Sequence, residues 1–246
     1  MFKKILPYLV LLAAIGQVVA AATISIDAFT GDTYNGLLTL IQPAPFVFAI
    51  WGVIYLLSFV YAVYQVIPAN NNVYLSHNRP YALFGFVMSG VWLYVAGLDA
   101  TYVWLTVPIL ISIAYAFFKA VTPTVREPLS KWRMICSHYA LFPYAAWAAI
   151  AWVVNVHSIV NQYGLVPNKG INLLVGIFLL GIIAGITLRT LRYVSYSPWY
   201  GLVILWASFG IVYANIEQAQ GSFLIALFAV ILMVIVEILM VKNRKK

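Results

Sequence analysis

The sequence predicts an all-α integral membrane protein with about eight transmembrane helices. Charged residues make up 8% of the 246 residues, whereas a soluble domain carries about 25%. Hydrophobic residues make up 64% of the chain, and the mean hydropathy is +0.96. Disordered chains are polar and poor in aromatic residues, so this composition excludes disorder as well as a soluble fold.

Eight apolar segments are each long enough to cross a membrane as a helix. A helix needs about 20 apolar residues to span about 30 Å of hydrocarbon. The segments are approximately 5–26, 46–67, 80–98, 101–118, 132–156, 170–188, 198–216 and 221–241. They are continuous apolar runs and not the alternating strands of about 10 residues that build a β-barrel. Together they leave no room for a soluble domain.

The basic residues predict the orientation of these segments, because Lys and Arg collect on the cytoplasmic side. With a cytoplasmic N-terminus, 13 of the 14 basic residues fall inside and only Lys169 falls outside. The inside set is Lys3, Lys4, Arg79, Lys119, Arg126, Lys131, Arg133, Arg189, Arg192, Lys242, Arg244, Lys245 and Lys246. The net charge of +8 is therefore explained by topology and anionic headgroups, and nucleic acid is not an expected partner. The predicted location is a bacterial inner or plasma membrane, with both termini cytoplasmic.

The first segment also has features of a signal peptide. Lys3 and Lys4 precede an apolar run that ends in three alanines at 20–22. The run is about 22 residues long, whereas the apolar core of a signal peptide has about 7–15. We therefore expect an uncleaved first helix. Cleavage would leave seven helices and an external N-terminus.

The sequence contains no catalytic or metal-binding constellation. Cys136 is the single cysteine, and the histidines are scattered at His77, His138 and His157. No nucleophile-elbow, zinc-protease or phosphate-loop motif is present. Glu237 is the only acid well inside a segment, and it lies close enough to Lys242 to reach the inner interface. No catalytic residue, metal or required cofactor is predicted, and enzymatic activity is not expected.

Two helix faces combine aromatic rings with small and polar residues. One comprises Trp51, Tyr55, Ser58 and Ala62 in the second segment, and the other comprises Tyr144, Trp147, Ala151 and Asn155 in the fifth. Spacings of three and four place each set on one face of a helix. Such a face suits the wall of a ligand pocket, but the spacing alone favours tight packing between helices. Pro143 cannot donate to the carbonyl of Tyr139, which predicts a kink there.

The same residues resemble motifs of the TspO/MBR family, which comprises tryptophan-rich sensory proteins and the mitochondrial translocator protein. The stretch 43–55, PAPFVFAIWGVIY, resembles the family's approach to its second helix. The stretch 143–155, PYAAWAAIAWVVN, resembles its fifth-helix motif at every fixed position. Trp92 and Trp104 resemble tryptophans of the third and fourth helices, whereas Ser89 stands where the family has Asn.

The resemblance implies a TspO-like five-helix unit over residues 1–160, followed by three additional helices and a basic tail over 161–246. It also implies an internal hydrophobic pocket beneath a loop at approximately 27–45. The implied ligand-binding residues are Trp51, Tyr55, Trp92, Trp104, Tyr144, Trp147, Ala151 and Asn155. Family members bind porphyrins, so a porphyrin or haem-type ligand is expected here, with its ring stacked on aromatic faces.

The ligand's carboxylates need donors, for which Tyr34, Asn35 and Lys169 are outside candidates. The other expected partners are membrane lipids and, as one option, a second copy of the chain. The implied function is a membrane sensor or receptor for a planar hydrophobic ligand. The alternative is a small-molecule transporter, although the sequence shows no convincing internal repeat and, apart from Glu237, no mid-span charge that ion-coupled transport would use.

Overall fold

The structure, a computed structural model, describes residues 2–23, 39–98, 100–122, 130–194, 197–218 and 220–243. These residues form eight long helices and no strand. The helices are α1 (Phe2–Thr23), α2 (Ile50–Val66), α3 (Val73–Ala96), α4 (Thr106–Val121), α5 (Ala140–Gln162), α6 (Lys169–Tyr193), α7 (Pro198–Glu217) and α8 (Phe223–Asn243). The prediction of an all-α membrane protein is confirmed.

Seven of the described helical stretches are long and apolar enough to cross a membrane. The eighth long helix, α3, has 24 residues, and polar residues in its first turns reduce its hydropathy. Hydropathy predicts the start of this helix near residue 80, but α3 begins seven residues earlier, at Val73. The side chain of Asn72 accepts a hydrogen bond from the Leu75 amide, which caps the helix at this earlier point.

Arg79 therefore lies inside α3 and not in a loop, and it is buried with 6% exposure. Its Nε donates to Gln65 Oε1 at 2.9 Å, and its Nη1 donates to Asn71 Oδ1 at 2.9 Å. Gln65 in turn donates from Nε2 to the carbonyl of Pro7 at 2.8 Å. The network joins α1, α2 and α3, and it gives a buried cation the hydrogen bonds that burial requires.

Short irregular turns precede four of the helices, and the one before α3 is the 3₁₀ turn Pro68–Asn70. Pro45–Ala49 forms a 3₁₀ turn before α2, and Ala100–Leu105 forms another before α4. Pro108 has no backbone donor and is accommodated in the first turn of α4. A π-helical turn, Met134–Tyr139, precedes α5 and ends at the residue whose carbonyl Pro143 cannot bond.

The helices divide into two units. The first comprises residues 1–25 and 49–148, and the second comprises 26–48 and 149–246. In the first unit α3 packs against α1 and α4, and α2 packs against α1. In the second unit α8 packs against α6 and α7. The predicted boundary at residue 160 remains a prediction.

In the second unit, residues 39–48 are held against α7 by several contacts, which we call the α7 anchor. Asn215 Nδ2 donates to the Leu40 carbonyl at 2.7 Å, and Trp206 Nε1 donates to the Val47 carbonyl at 2.9 Å. The Ala44 amide donates to the Gly210 carbonyl at 3.1 Å. The ring of Phe46 meets three rings of α7 edge-on, those of Trp206, Phe209 and Tyr213. The chain that leads into α2 is thus positioned by one of the last three helices.

Candidate functional site

Five aromatic side chains meet in the first unit, and we call them the Trp51 cluster. They are Trp51, Tyr55, Trp92, Tyr144 and Trp147. Trp51 is the centre, because each of the other four rings has its centroid 5.3–6.2 Å from that of Trp51. The rings of Tyr55 and Trp92 are stacked on Trp51 at interplanar angles of 26° and 25°. Tyr144 and Trp147 meet it edge-on at 79° and 84°.

Helical spacing explains how the sequence produces this cluster. Trp51 and Tyr55 are four residues apart on α2, so they lie one turn apart on one face. Tyr144 and Trp147 are three residues apart on α5, so they also share one face, and Trp92 lies on α3. Trp147, Trp92 and Tyr144 are buried, whereas Trp51 and Tyr55 are half-buried. The cluster is therefore open to its surroundings mainly on the α2 side.

A second aromatic layer supports the cluster on the far side of Tyr144. The Phe117 ring is stacked on Tyr144 at a centroid distance of 4.3 Å and an angle of 19°. Phe86 contacts both of these rings. A β-carbon at Gly85 would lie 2.7 Å from the Phe117 ring, so only glycine allows Phe117 to approach α3 this closely. Packing against Phe86 and Phe117 thus fixes the ring of Tyr144.

The Tyr144 hydroxyl connects α5 to α1 and α3. It lies 2.8 Å from Gln17 Oε1 and 2.5 Å from Ser89 Oγ, and the Ser89 hydroxyl donates to the Gly85 carbonyl. The two hydroxyl protons cannot serve all three contacts at once. Turning the Gln17 amide supplies the missing donor, because Gln17 Nε2 has no hydrogen-bond partner among the described residues.

Three further polar atoms on α2 are buried without a hydrogen-bond partner in the described part of the chain. They are Trp51 Nε1, Ser58 Oγ and Tyr61 Oη. Burying such a group without a partner costs about 1–3 kcal/mol. Trp51 Nε1 belongs to the Trp51 cluster, whereas Ser58 and Tyr61 lie about two and three turns further along α2.

The structure brings together five of the eight predicted site residues, namely those of the Trp51 cluster. Trp104 lies in the turn before α4 and is 53% exposed. Ala151 and Asn155 lie further along α5, in the second unit, and both are half-buried. The assignment of all eight to one pocket remains a prediction.

The structure describes only one of the three residues predicted to donate hydrogen bonds to the ligand's carboxylates. Lys169 is exposed at the first residue of α6. Tyr34 and Asn35 lie outside the described residues, as does most of the predicted loop 27–45. Among the described residues, no three His, Cys, Asp or Glu side chains come together in a group that could hold a metal ion.

Sequence reasoning missed Gln17 and Phe117 as neighbours of the site. Gln17 is the single amide in an otherwise apolar helix, and a buried polar residue in a membrane helix needs a partner. The polarity of Gln17 was therefore sufficient to predict that it contacts another helix. Phe117 is one of 14 phenylalanines, and only the unusually close approach at Gly85 distinguishes it.

One family comparison matches the chain. The model of a family described as TSPO-like protein matches residues 4–241, a range that runs from α1 into α8. The match therefore includes the three helices that follow residue 160. No curated protein and no solved structure matches.

Proposed function

Because the chain belongs to the TSPO-like family, we propose that it is a membrane sensor or binding protein whose ligand is planar and hydrophobic, such as a porphyrin. The proposed binding site is the Trp51 cluster. The observation that carries the proposal is the position of Trp51 at the centre of four other rings, with its own indole N–H buried and without a hydrogen-bond partner among the described residues.

The ring geometry supports a flat ligand. Trp51 already accepts two nearly parallel rings, Tyr55 and Trp92, which shows that both of its neighbours are oriented for face-to-face contact. The edges of Tyr144 and Trp147 close the sides. A porphyrin or similar macrocycle presents the same kind of face to these rings.

The polar atoms support a ligand that also carries acceptors. Trp51 Nε1 is a donor only, and Ser58 and Tyr61 each offer a hydroxyl proton. A ligand with a nitrogen or oxygen acceptor at the edge of its apolar ring would give Trp51 Nε1 the partner it lacks among the described residues. Acceptors further along α2 would be needed to reach Ser58 and Tyr61. A purely aliphatic ligand would leave them unsatisfied, and we therefore expect it to bind more weakly.

The rings of the cluster contact one another, so ligand binding requires a rearrangement. A planar ligand can enter only by replacing one of the two stacks on Trp51. Trp51 and Tyr55 are only half-buried, which makes the α2 side of the cluster the side that opens. We expect binding to change the environment of Trp51 in particular.

A porphyrin titration of the full chain in detergent tests the proposal. The wild type should bind a free-base porphyrin saturably, as followed by the absorbance and fluorescence of the porphyrin. Trp51→Phe and Trp92→Phe should each weaken binding about 2–12-fold, because a smaller ring retains part of the stack. Trp132→Phe is the matched control, since Trp132 is 67% exposed and outside the cluster.

Micelles also take up porphyrins, so the contrast between variants decides the test. Equal binding by wild type, Trp51→Phe and Trp132→Phe, with all three proteins melting at the same temperature, would remove the Trp51 cluster from consideration. Counterflow of the same porphyrin in proteoliposomes separates the alternative function, because a binding protein retains its ligand and a transporter exchanges it.

A further inference from the structure

A groove on the surface of the first unit runs between α3 and α4. None of the residues that line it belongs to the Trp51 cluster. Its volume is about 750 Å³. Residues of α3 form one wall and residues of α4 form the other. The lining residues are Ser76, His77, Pro80, Tyr81, Phe84, Ser112, Tyr115 and Ala116.

The sequence explains why two tightly packed helices leave this groove. Ser112 and Ala116 on α4 are small, and they form a floor between the larger rings of Phe84 and Tyr115. Pro80 cannot donate to the carbonyl of Ser76, so the first turns of α3 lack one helical hydrogen bond. The positions from Ser76 to Phe84 span about 12 Å of helix, which is long enough for part of an acyl chain.

The groove has one charged end. Lys119, in the last turn of α4, holds its ammonium 5.7 Å from the centre of the Tyr115 ring. The His77 ring nitrogen Nε2 donates to the Lys119 carbonyl at 3.2 Å, which ties this end of α4 to α3. No residue that lines the groove is acidic. In the part of the chain that the structure describes, the apolar part of the groove thus leads to the ammonium of Lys119.

We propose that this groove binds one phospholipid with an anionic headgroup. The acyl chain lies over Ser112 and Ala116 between the aromatic walls, and the phosphate lies at the ammonium of Lys119. The surface of a membrane helix faces lipid, so a groove there is filled by a chain and not by water. The charge selects the lipid, because one basic residue at a membrane surface favours anionic lipid about fivefold.

His77 and Tyr115 are positioning residues in this site. The Tyr115 ring restrains the ammonium of Lys119 through a cation–π contact. His77 fixes the backbone that carries Lys119, because its ring nitrogen Nε2 is hydrogen-bonded to the Lys119 carbonyl. Among the described residues at this end of the groove, Lys119 is the side chain that brings its charge to the headgroup.

Native mass spectrometry of the full chain tests the proposal with two probes that have identical acyl chains, phosphatidylglycerol and phosphatidylcholine. The wild type should retain phosphatidylglycerol preferentially, at one lipid per chain and by about fivefold. Lys119→Gln should abolish the preference. Lys242→Gln is the matched control, because Lys242 is likewise the basic residue in the last turn of a membrane helix, α8.

A second variant tests the apolar part of the site without touching the charge. Ser112→Leu fills the floor, and it should reduce retention of both lipids while Lys119 remains. Melting temperatures without added lipid show whether each variant is folded. Equal retention of the two lipids by the wild type overturns the proposal, as does an equal loss of preference in Lys242→Gln. A variant that changes the number of protein copies and leaves lipid retention unchanged would assign the groove to a second chain instead.

Discussion

The Tyr144 hydroxyl connects three helices of the first unit. It contacts Gln17 on α1 and Ser89 on α3, and its ring is edge-on to Trp51. One phenol therefore holds three helices together and also forms part of the candidate site. Hydrogen bonds between membrane helices contribute about 0.6 kcal/mol on average. Removing one partner and leaving the other buried without a hydrogen bond costs more than the bond itself contributes.

Tyr144→Phe should lower stability by about 1–2 kcal/mol, because Gln17 then loses its partner in an apolar interior. Thermal unfolding in detergent measures the effect. Tyr213→Phe is the matched control, since Tyr213 is 45% exposed and its hydroxyl has no hydrogen bond within the described residues. Equal melting temperatures for both variants would contradict the assigned role.

A double variant separates the hydrogen bond from the packing of the ring. Gln17→Leu removes the amide that Tyr144 satisfies. In Gln17→Leu combined with Tyr144→Phe, no polar atom of this pair remains unsatisfied. The combined loss should therefore be smaller than the sum of the two single losses. An additive result would mean that the two side chains do not act as a pair.

At the scale of elements, the α7 anchor assigns a structural role to a helix beyond the first five. Gly210 is its tightest point, because a β-carbon there would overlap Val47 and lie 3.0 Å from the β-carbon of Pro43. Its carbonyl also accepts from the Ala44 amide. Asn215 Oδ1 accepts from the Ser222 amide, which connects the anchor to the turn before α8.

Gly210→Ala should destabilise the protein by about 1–3 kcal/mol through overpacking against residues 43–47. Gly185→Ala in α6 is the control with the opposite expected sign. A β-carbon at Gly185 meets nothing within 4 Å, and alanine favours a helix by up to about 1 kcal/mol over glycine. Melting temperatures in detergent should fall for the first variant and remain equal or rise for the second. A rise for Gly210→Ala would show that residues 43–47 are not held against α7.

The helices could be predicted from the sequence more reliably than their ends. Apolar runs of about 20 residues identify a membrane helix, and the predicted segments correspond to α1 to α8. Hydropathy is insensitive to caps, so it placed the start of α3 at residue 80, although Asn72 begins the helix earlier. It also merged the 3₁₀ turn at Ala100–Leu105 with α4.

The residues of the candidate site could likewise be predicted only in part. Periodicity identified Trp51 with Tyr55 and Tyr144 with Trp147, because each pair lies on a single helix face. Periodicity carries no information on which faces meet, so on spacing alone helix packing was favoured and a ligand pocket was left open. It also could not reveal that residues 39–48 depend on Trp206 and Asn215, about 160–175 positions away along the chain.

At the scale of the whole molecule, the basic residues and the helix count make one prediction together. If α3 crosses the membrane together with the seven candidate spans, the chain returns to the side on which it began. The positive-inside rule then predicts both ends in the cytoplasm, with Lys169 as the single basic residue outside. The loop between α5 and α6, residues 163–168, should then lie on the opposite side from residue 246.

Reporter fusions at residue 246 and in the 163–168 loop test this arrangement. The first should report a cytoplasmic location and the second an external one, because moving the basic end of α8 outward would reverse the charge bias of every loop. Edman sequencing of the purified protein serves as the companion measurement for the first helix. A chain that begins at Met1 and carries both ends inside has eight crossings. A chain that begins after Ala22 and keeps residue 246 inside has seven, which would make α1 a cleaved leader and leave the Tyr144 hydroxyl without Gln17.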